Sequence, residues 1–564
     1  MGAVGAQNLK ARAVSSGALL TAGLVCLYAA ARLWRLTASC LWFDEIFGVH
    51  AARHAWGDMW RFVAADLIHP PLFYALLKLW TAAGGESLLW LRLFPALASI
   101  AAVVPFLLLA RELRLGARAR NVALLVAAAN GYLIKYAQEV RMYGLLLLLT
   151  LTSLWLFARL LNAAGRARGL LFALALVNLL LVYTHYYGWL VVVCEVVFVA
   201  LKERRRLGAL LLTAGGLALS YVPWVVACVG AAARGGGLAQ NIGWIQRPGG
   251  RDLVQLFALF NEPFYFRQSS ADPLYARGGA LFGLLIVGLP LFVLLTVIKH
   301  DLKARAAGGD ESVDDEGRVE ERQHASVLGS EEGVVGFLLV FTMLPVLLAF
   351  AASYALPQSV WGTRHLVVAY APYALLAGLA LARLRPLWWR GTALILLCCW
   401  LLVAGALTLV RRDAAPIWCA WEGLATSAAR DGARDPAVVG VGAVGGGAPH
   451  ASDVYAFEDL VAYHLWFALE RGETAGRFRV VSIKGAPGLT EDPAYFLPRG
   501  FDGVAVSNTD ALRGERFWVA FRDTAWDESR QPLKLITERG YRAERVYETA
   551  AQGQRAFLVL FAHR

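Results

Sequence analysis

Charge is what this chain has least of. Only 17% of its 564 residues are charged, against about a quarter in an average soluble domain. The charge present is uneven, with 54 Lys and Arg against 42 Asp and Glu. In a soluble protein a net charge of +12 would point to nucleic acid. Here the basic residues lie between apolar runs, which is a topology signal, and no nucleic-acid partner is expected. Cysteine is scarce and scattered. The Cys398-Cys399 pair lacks metal-ligand spacing, and Cys40 and Cys419 are expected outside the membrane, where they could pair, with two unlinked thiols the preferred reading. Walker loops, zinc signatures and nucleophile elbows are absent from the sequence, which argues against ATP and metalloprotease chemistry. Gly440-x-Gly442-x-x-Gly445 matches a dinucleotide fingerprint as a string. Gly446, Gly447, Ala448 and Pro449 follow where a helix should open, so it reads as a glycine turn.

What the chain has is apolar length. It is 58% hydrophobic, with a mean hydropathy of +0.52, and many runs approach the ~20 residues that span a bilayer. About eleven spans can be drawn. The expected fold is mainly α, a polytopic membrane helix bundle, with an uncleaved first helix preceded by Lys10 and Arg12. Leu72–Trp80 is too short to cross and reads as an interfacial helix anchored by Trp80. Arginine-rich loops, such as that holding Arg111, Arg114, Arg118 and Arg120 and that holding Arg383, Arg385 and Arg390, are cytoplasmic by the positive-inside rule. Residues 37–87 then form the first outer loop of a 1–410 membrane module. Residues 299–332, polar, acidic and glycine-rich, read as a disordered cytoplasmic loop. From 411 to 564 the composition becomes that of a soluble, small α/β domain on the outer face. Its strands are expected at Ala437–Val444, Arg479–Ile483, Arg516–Phe521, Arg545–Glu548 and Ala556–Phe561, and its helices at Tyr455–Arg471 and Leu533–Arg539.

Polar residues in apolar context gather on that outer side. Asp44 and Glu45 follow the first apolar run, and carboxylates at membrane depth are costly unless solvated or used. Either is a helix cap or a base that takes a proton from an attacking hydroxyl or amine. His69 precedes Pro70 and Pro71, and is an interfacial residue or a donor to a phosphate or sugar. Glu139 and Arg141 open a leucine-rich helix, as a structural pair or with Arg141 on an anionic head group. Arg92, with Glu86 as a nearby partner, is a second candidate cation. Tyr143 is expected as an interfacial anchor, and Tyr186, Tyr187 and Trp189 as an aromatic belt around His185. Arg364 and His365 enter an apolar helix from its outer end, which points to a cavity and an anion.

These pieces in order resemble the polytopic C-type glycosyltransferases (GT-C). The branch is that of protein O-mannosyltransferases and the bacterial lipid A aminoarabinose transferase. The matching strings are FDE at Phe43–Glu45, HPPLFY at His69–Tyr74, LRLFPAL at Leu91–Leu97, QEVRMYGL at Gln138–Leu145, THYYG at Thr184–Gly188 and TRHL at Thr363–Leu366. They cover about Ala18–Arg383, and no motif matches the C-terminal domain. The resemblance implies a bacterial plasma-membrane hexosyl- or pentosyltransferase. It would take a polyprenyl-phosphate-linked sugar in the bilayer and pass it, with inversion, to a glycan, lipid or protein acceptor. It places Asp44 as catalytic carboxylate, Glu45 as its supporting acid and Arg92 as a donor-handling arginine. Arg141, Arg364, His69, Glu139, His185 and His365 are expected around the donor phosphate or sugar. No metal ligand set is assigned from sequence, and a divalent cation stays open because related transferases differ in that requirement. A secondary transporter would also carry intramembrane charge but should show internal repeats, of which none is convincing here. A non-catalytic scaffold is the other alternative.

Overall fold

The computed structural model describes residues 2–163, 165, 167–234, 242–264, 283–307, 326–410, 416–434, 452–471, 476–489, 503–551 and 553–563. Among the described residues, six helices are long and apolar enough to cross a membrane: Leu88–Glu112, Tyr143–Asn162, Arg204–Ala233, Glu331–Ala355, Thr363–Arg383 and Leu387–Val410. Four shorter apolar helices accompany them, at Gly17–Leu33, Leu72–Gly84, Arg168–Thr184 and Leu289–Ile298. Thr363–Arg383 is the axis of the bundle, 94% buried over its most apolar window, whereas Leu387–Val410 is 11% buried. The outer helix shows Ile395, Leu402, Leu407 and Val410 on its surface, side chains that lipid covers at no cost. The axis helix packs closely because Gly378 lies against Ala119. A Cβ there would sit 2.4 Å from the Ala119 carbonyl oxygen.

The apolar run Asn121–Tyr136 is not one helix. It breaks at Asn130, between Ala117–Ala129 and Gly131–Gln138. Asn130 Oδ1 accepts from Leu133 N and caps the second piece, while Nδ2 donates to the carbonyls of Leu259, Phe260 and Glu262. The chain then turns at Glu139–Met142, and the next helix opens at Tyr143 rather than at Gln138. Leu72–Gly84 is part of the packed core. Phe73, Tyr74 and Leu77 are fully buried, and Trp80 stacks on Trp90 with each indole N–H donating to the other's carbonyl. The stretch expected as a disordered 299–332 loop begins inside a helix, Leu289–Ala307, and Ser330 caps the helix Glu331–Ala355 that follows.

The C-terminal region holds a six-stranded sheet of order β3-β2-β1-β4-β6-β5. Its strands are β1 (Ser452–Ala456), β2 (Phe478–Lys484), β3 (Ala505–Asn508), β4 (Arg516–Asp523), β5 (Tyr541–Ala551) and β6 (Gln554–His563). β1 to β4 run parallel and β6 pairs antiparallel with both β4 and β5. The expected helix over Tyr455–Arg471 begins only at Asp459. Tyr455 belongs to β1, which ends at Ala456, and the chain turns at Phe457-Glu458 before the crossover helix opens at Asp459. The expected strand Ala437–Val444 and the Gly440–Gly445 turn lie outside the described residues.

That domain grips the first outer loop. Cys40 and Cys419, expected as separate thiols, form a disulfide across 379 residues. The fold packs Trp42 on Trp418 beside them. Phe43 meets Tyr463 and His50 meets Trp466, both on the helix Asp459–Leu469. Glu86 pairs with Arg53, at 2.7 Å, and not with Arg92.

Candidate active site

The site grows from the helix Phe43–Arg53. Glu45, on its first turn, is 1% exposed and its carboxylate is fully engaged. Oε2 accepts from Trp42 N at 2.7 Å and lies 3.3 Å from Arg92, while Oε1 accepts from Val140 N at 2.8 Å. Arg92 also donates to the carbonyls of Leu36 and Cys40 and to Ser39. The Glu45–Arg92 pair therefore ties the start of the loop to two other segments of backbone. One helical position earlier, Asp44 faces elsewhere. Its Oδ2 lies 3.2 Å from Arg364, and the side chains of the pair are 28% and 17% exposed. The loop that Glu45 holds thus leaves Asp44 at a partly open surface.

Arg141 links Asp44 to the histidines. It donates to the Asp44 carbonyl at 3.0 Å, contacts Tyr74 Oη at 3.5 Å and His69 Nδ1 at 3.2 Å. His69, His185 and His365 then close on one another, with ligand atoms within 4.8 Å. All three Nε2 atoms are buried without a hydrogen-bond partner. Their tautomers follow from their neighbours. A guanidinium cannot accept, so His69 Nδ1 accepts from Arg141, and His185 Nδ1 accepts from Tyr187 N at 3.0 Å. Burial, reinforced by Arg141, holds His69 well below the usual imidazole range and lowers His185 to about 3. A neutral ring carries one proton, so in both the proton is on Nε2. By distance the trio would hold a metal, a gathering that sequence spacing did not reveal. By tautomer, two of its three inward nitrogens are N–H donors rather than lone pairs. The trio fits an oxygen acceptor better than a cation.

Of the remaining expected site residues, Glu139 pairs with Lys135 at 3.7 Å rather than with Arg141. Burial raises the Glu139 carboxyl above its ordinary range. Tyr143 is not an interfacial anchor. It is 1% exposed, its hydroxyl is unpartnered, and its ring lies 6.2 Å from that of His365. Tyr187 leaves the expected belt as well, since it is buried and donates to the Val360 carbonyl. Tyr74, whose hydroxyl meets Arg141, was not singled out by sequence. Tyr74 sits inside HPPLFY, and a tyrosine two residues into an apolar helix was the available signal.

Neither family models nor curated proteins match this chain. Solved structures do. ArnT from Cupriavidus metallidurans, bound to undecaprenyl phosphate, superposes with a TM-score of 0.53 at 14% identity, over 96% of this chain and 97% of that one. Its apo form gives 0.54 at 14% identity, over 97% and 98%. The archaeal oligosaccharyltransferase AglB from Archaeoglobus fulgidus gives 0.41 at 13% identity, over 80% of this chain and 63% of that one. This chain has the GT-C fold, with many helices and a C-terminal sheet domain.

Proposed function

We propose that this protein is a membrane glycosyltransferase that moves a sugar from a polyprenyl-phosphate carrier to an acceptor hydroxyl or amine. The observation that carries the reading is the convergence of Asp44, Arg364, Arg141 and three inward histidines from five separate segments. One acid, two cations and fixed N–H donors suit a reaction that takes a proton on one side and releases a phosphate on the other. The full-length likeness to a protein solved with undecaprenyl phosphate supports a lipid-linked donor.

In this reading the acceptor oxygen or nitrogen attacks the anomeric carbon from the face opposite the phosphate and inverts it. Its proton passes to Asp44. The bond from anomeric carbon to phosphate oxygen breaks, and the electron pair leaves with the lipid phosphate. Arg141 and Arg364 neutralise that phosphate, and the Nε2–H groups of His69 and His185 bond its oxygens or those of the sugar. His365 completes the wall. Glu45 and Arg92 position the loop, and Glu139 is paired with Lys135. The site and the sheet domain face away from the cytoplasm. The Cys40–Cys419 bond supports that side, since disulfides persist in oxidising compartments. The 1–410 and 411–564 division, the span count near eleven and a bacterial inner-membrane location belong to the same proposal. The sugar and acceptor are left at the level of a hexose or pentose and a glycan, lipid or protein.

Binding of undecaprenyl phosphate to the purified chain, read by native mass spectrometry, tests the phosphate end. Wild type should bind, and Arg141→Gln with Arg364→Gln should weaken binding by at least about tenfold, as charge-assisted contacts are lost. Equal binding by wild type and the double variant would remove both arginines from the phosphate site.

A further inference from the structure

A second polar cavity, of about 560 Å³, opens at the other end of the bundle. Arg364 and Arg383 are at opposite ends of the axis helix Thr363–Arg383, so the two sites are roughly 30 Å apart at 1.5 Å per residue. Five arginines line this cavity, Arg114, Arg118, Arg383, Arg385 and Arg390, against a single acid, Glu331. Glu331 pairs with Arg383 at 2.9 Å, which leaves the lining strongly positive.

Four further features point to the ligand. The cavity also contacts Gly116, the N-cap of the 13-residue helix Ala117–Ala129, whose cap makes no side-chain hydrogen bond. Free backbone N–H groups at a helix start favour an anion. Arg114 holds a left-handed φ of 52° just past a helix end, a place where glycine is usual. The chain accepts an unfavourable backbone there and keeps the charge. Trp388 and Trp389 stand exposed beside Arg385 and Arg390, at 67% and 37%, and exposed indoles mark head-group depth. Leu113, Leu328 and Leu379 supply an apolar wall.

We infer that this cavity binds the head group of an anionic phospholipid, one carrying phosphate without a compensating amine. Cationic loops alone would serve topology by sitting anywhere on that face. Convergence of five arginines around one cavity with an apolar wall, and with exposed indoles next to Arg390 in the chain, serves a phosphate that arrives on an acyl chain. A free phosphate would use the arginines and leave the apolar wall idle.

The test is lipid retention by the purified full chain in detergent, followed by native mass spectrometry. The probes are cardiolipin, phosphatidylglycerol, phosphatidylcholine and inorganic phosphate. Cardiolipin and phosphatidylglycerol should bind in preference to phosphatidylcholine. Arg114→Gln, Arg118→Gln, Arg385→Gln and Arg390→Gln together should weaken them at least about tenfold. Arg118→Gln and Arg385→Gln singly, both exposed side chains, should give smaller losses and guard against misfolding of the quadruple variant. Arg141→Gln with Arg364→Gln should retain these lipids fully, which separates this site from the proposed catalytic one. Equal binding of phosphatidylcholine, unchanged binding by all the variants, or inorganic phosphate competing as tightly as the lipids would overturn the inference.

Discussion

Asp44 and Glu45 are neighbours with opposite surroundings, and the proposal gives them different work for that reason. Glu45 has each oxygen bonded and is sealed, while Asp44 meets one arginine at a partly open surface. Asp44→Asn should lower transfer by about 10²–10⁴-fold with folding unchanged, the range for a lost general base. A turnover assay beside a thermal melt checks both parts. Glu45→Gln should instead lower the melting midpoint, because an amide keeps one acceptor oxygen and loses either the bonds to Trp42 N and Arg92 or the bond to Val140 N. His464 gives a pH prediction. Its ring is buried against Trp418, and burial lowers it to about 4. The unfolded ring takes a proton near its ordinary value of about 6.5, and the folded ring refuses it until about 4. Stability therefore falls as pH drops through that window, and is fully present above it. His464→Phe should flatten the slope of melting midpoint against pH between about 6.5 and 4. The kinds of residue needed were legible in the sequence, because acids and arginines at membrane depth are conspicuous. The tautomers of His69 and His185 were not, since each depends on a donor brought in by folding.

At the scale of helices, the clearest device is a polar clasp. Ser153, Asn178 and Glu195 come from three adjacent helices and are all buried. Ser153 Oγ meets Asn178 Oδ1 at 2.7 Å and Glu195 Oε1 at 2.6 Å, and Asn178 Nδ2 meets Glu195 Oε2 at 2.7 Å. Three contacts need three hydrogens. The serine supplies one and the amide one, whichever way the amide is turned, so the third belongs to Glu195. The acid is held neutral, as hydrocarbon surroundings require. Glu195→Gln keeps the count and should be tolerated, whereas Glu195→Ala should cost about 1–2 kcal/mol. Infrared spectra should show a carboxylic-acid carbonyl band that the Gln variant lacks. Hydropathy marked these helices well because lipid and core both reward apolar runs. It missed the break at Asn130, whose reason is tertiary: the carbonyls it reaches belong to a segment some 130 residues away.

For the whole molecule, the sheet domain is part of the site's frame. The Cys40–Cys419 bond and the Trp42, Phe43 and His50 contacts fix the helix that carries Asp44. Cys419→Ser should lower stability by about 2–4 kcal/mol. Reductant should reproduce the shift in wild type and add nothing in the variant. The domain's existence was legible from composition, and β2, β4 and β6 from their alternating or continuous apolar runs. Its grip on the first loop was not, because aromatic pairs across more than 370 residues leave no local pattern.

Purified protein in lipid vesicles, supplied with a polyprenyl-phosphate-linked radiolabelled sugar and a host membrane extract as acceptor, gives the most direct measurement. The site as assigned predicts release of polyprenyl phosphate with label passing to acceptor, both lost in Asp44→Asn. Donor consumption that is equal in wild type and Asp44→Asn, or sugar flux across the vesicle without any glycosylated product, would contradict it.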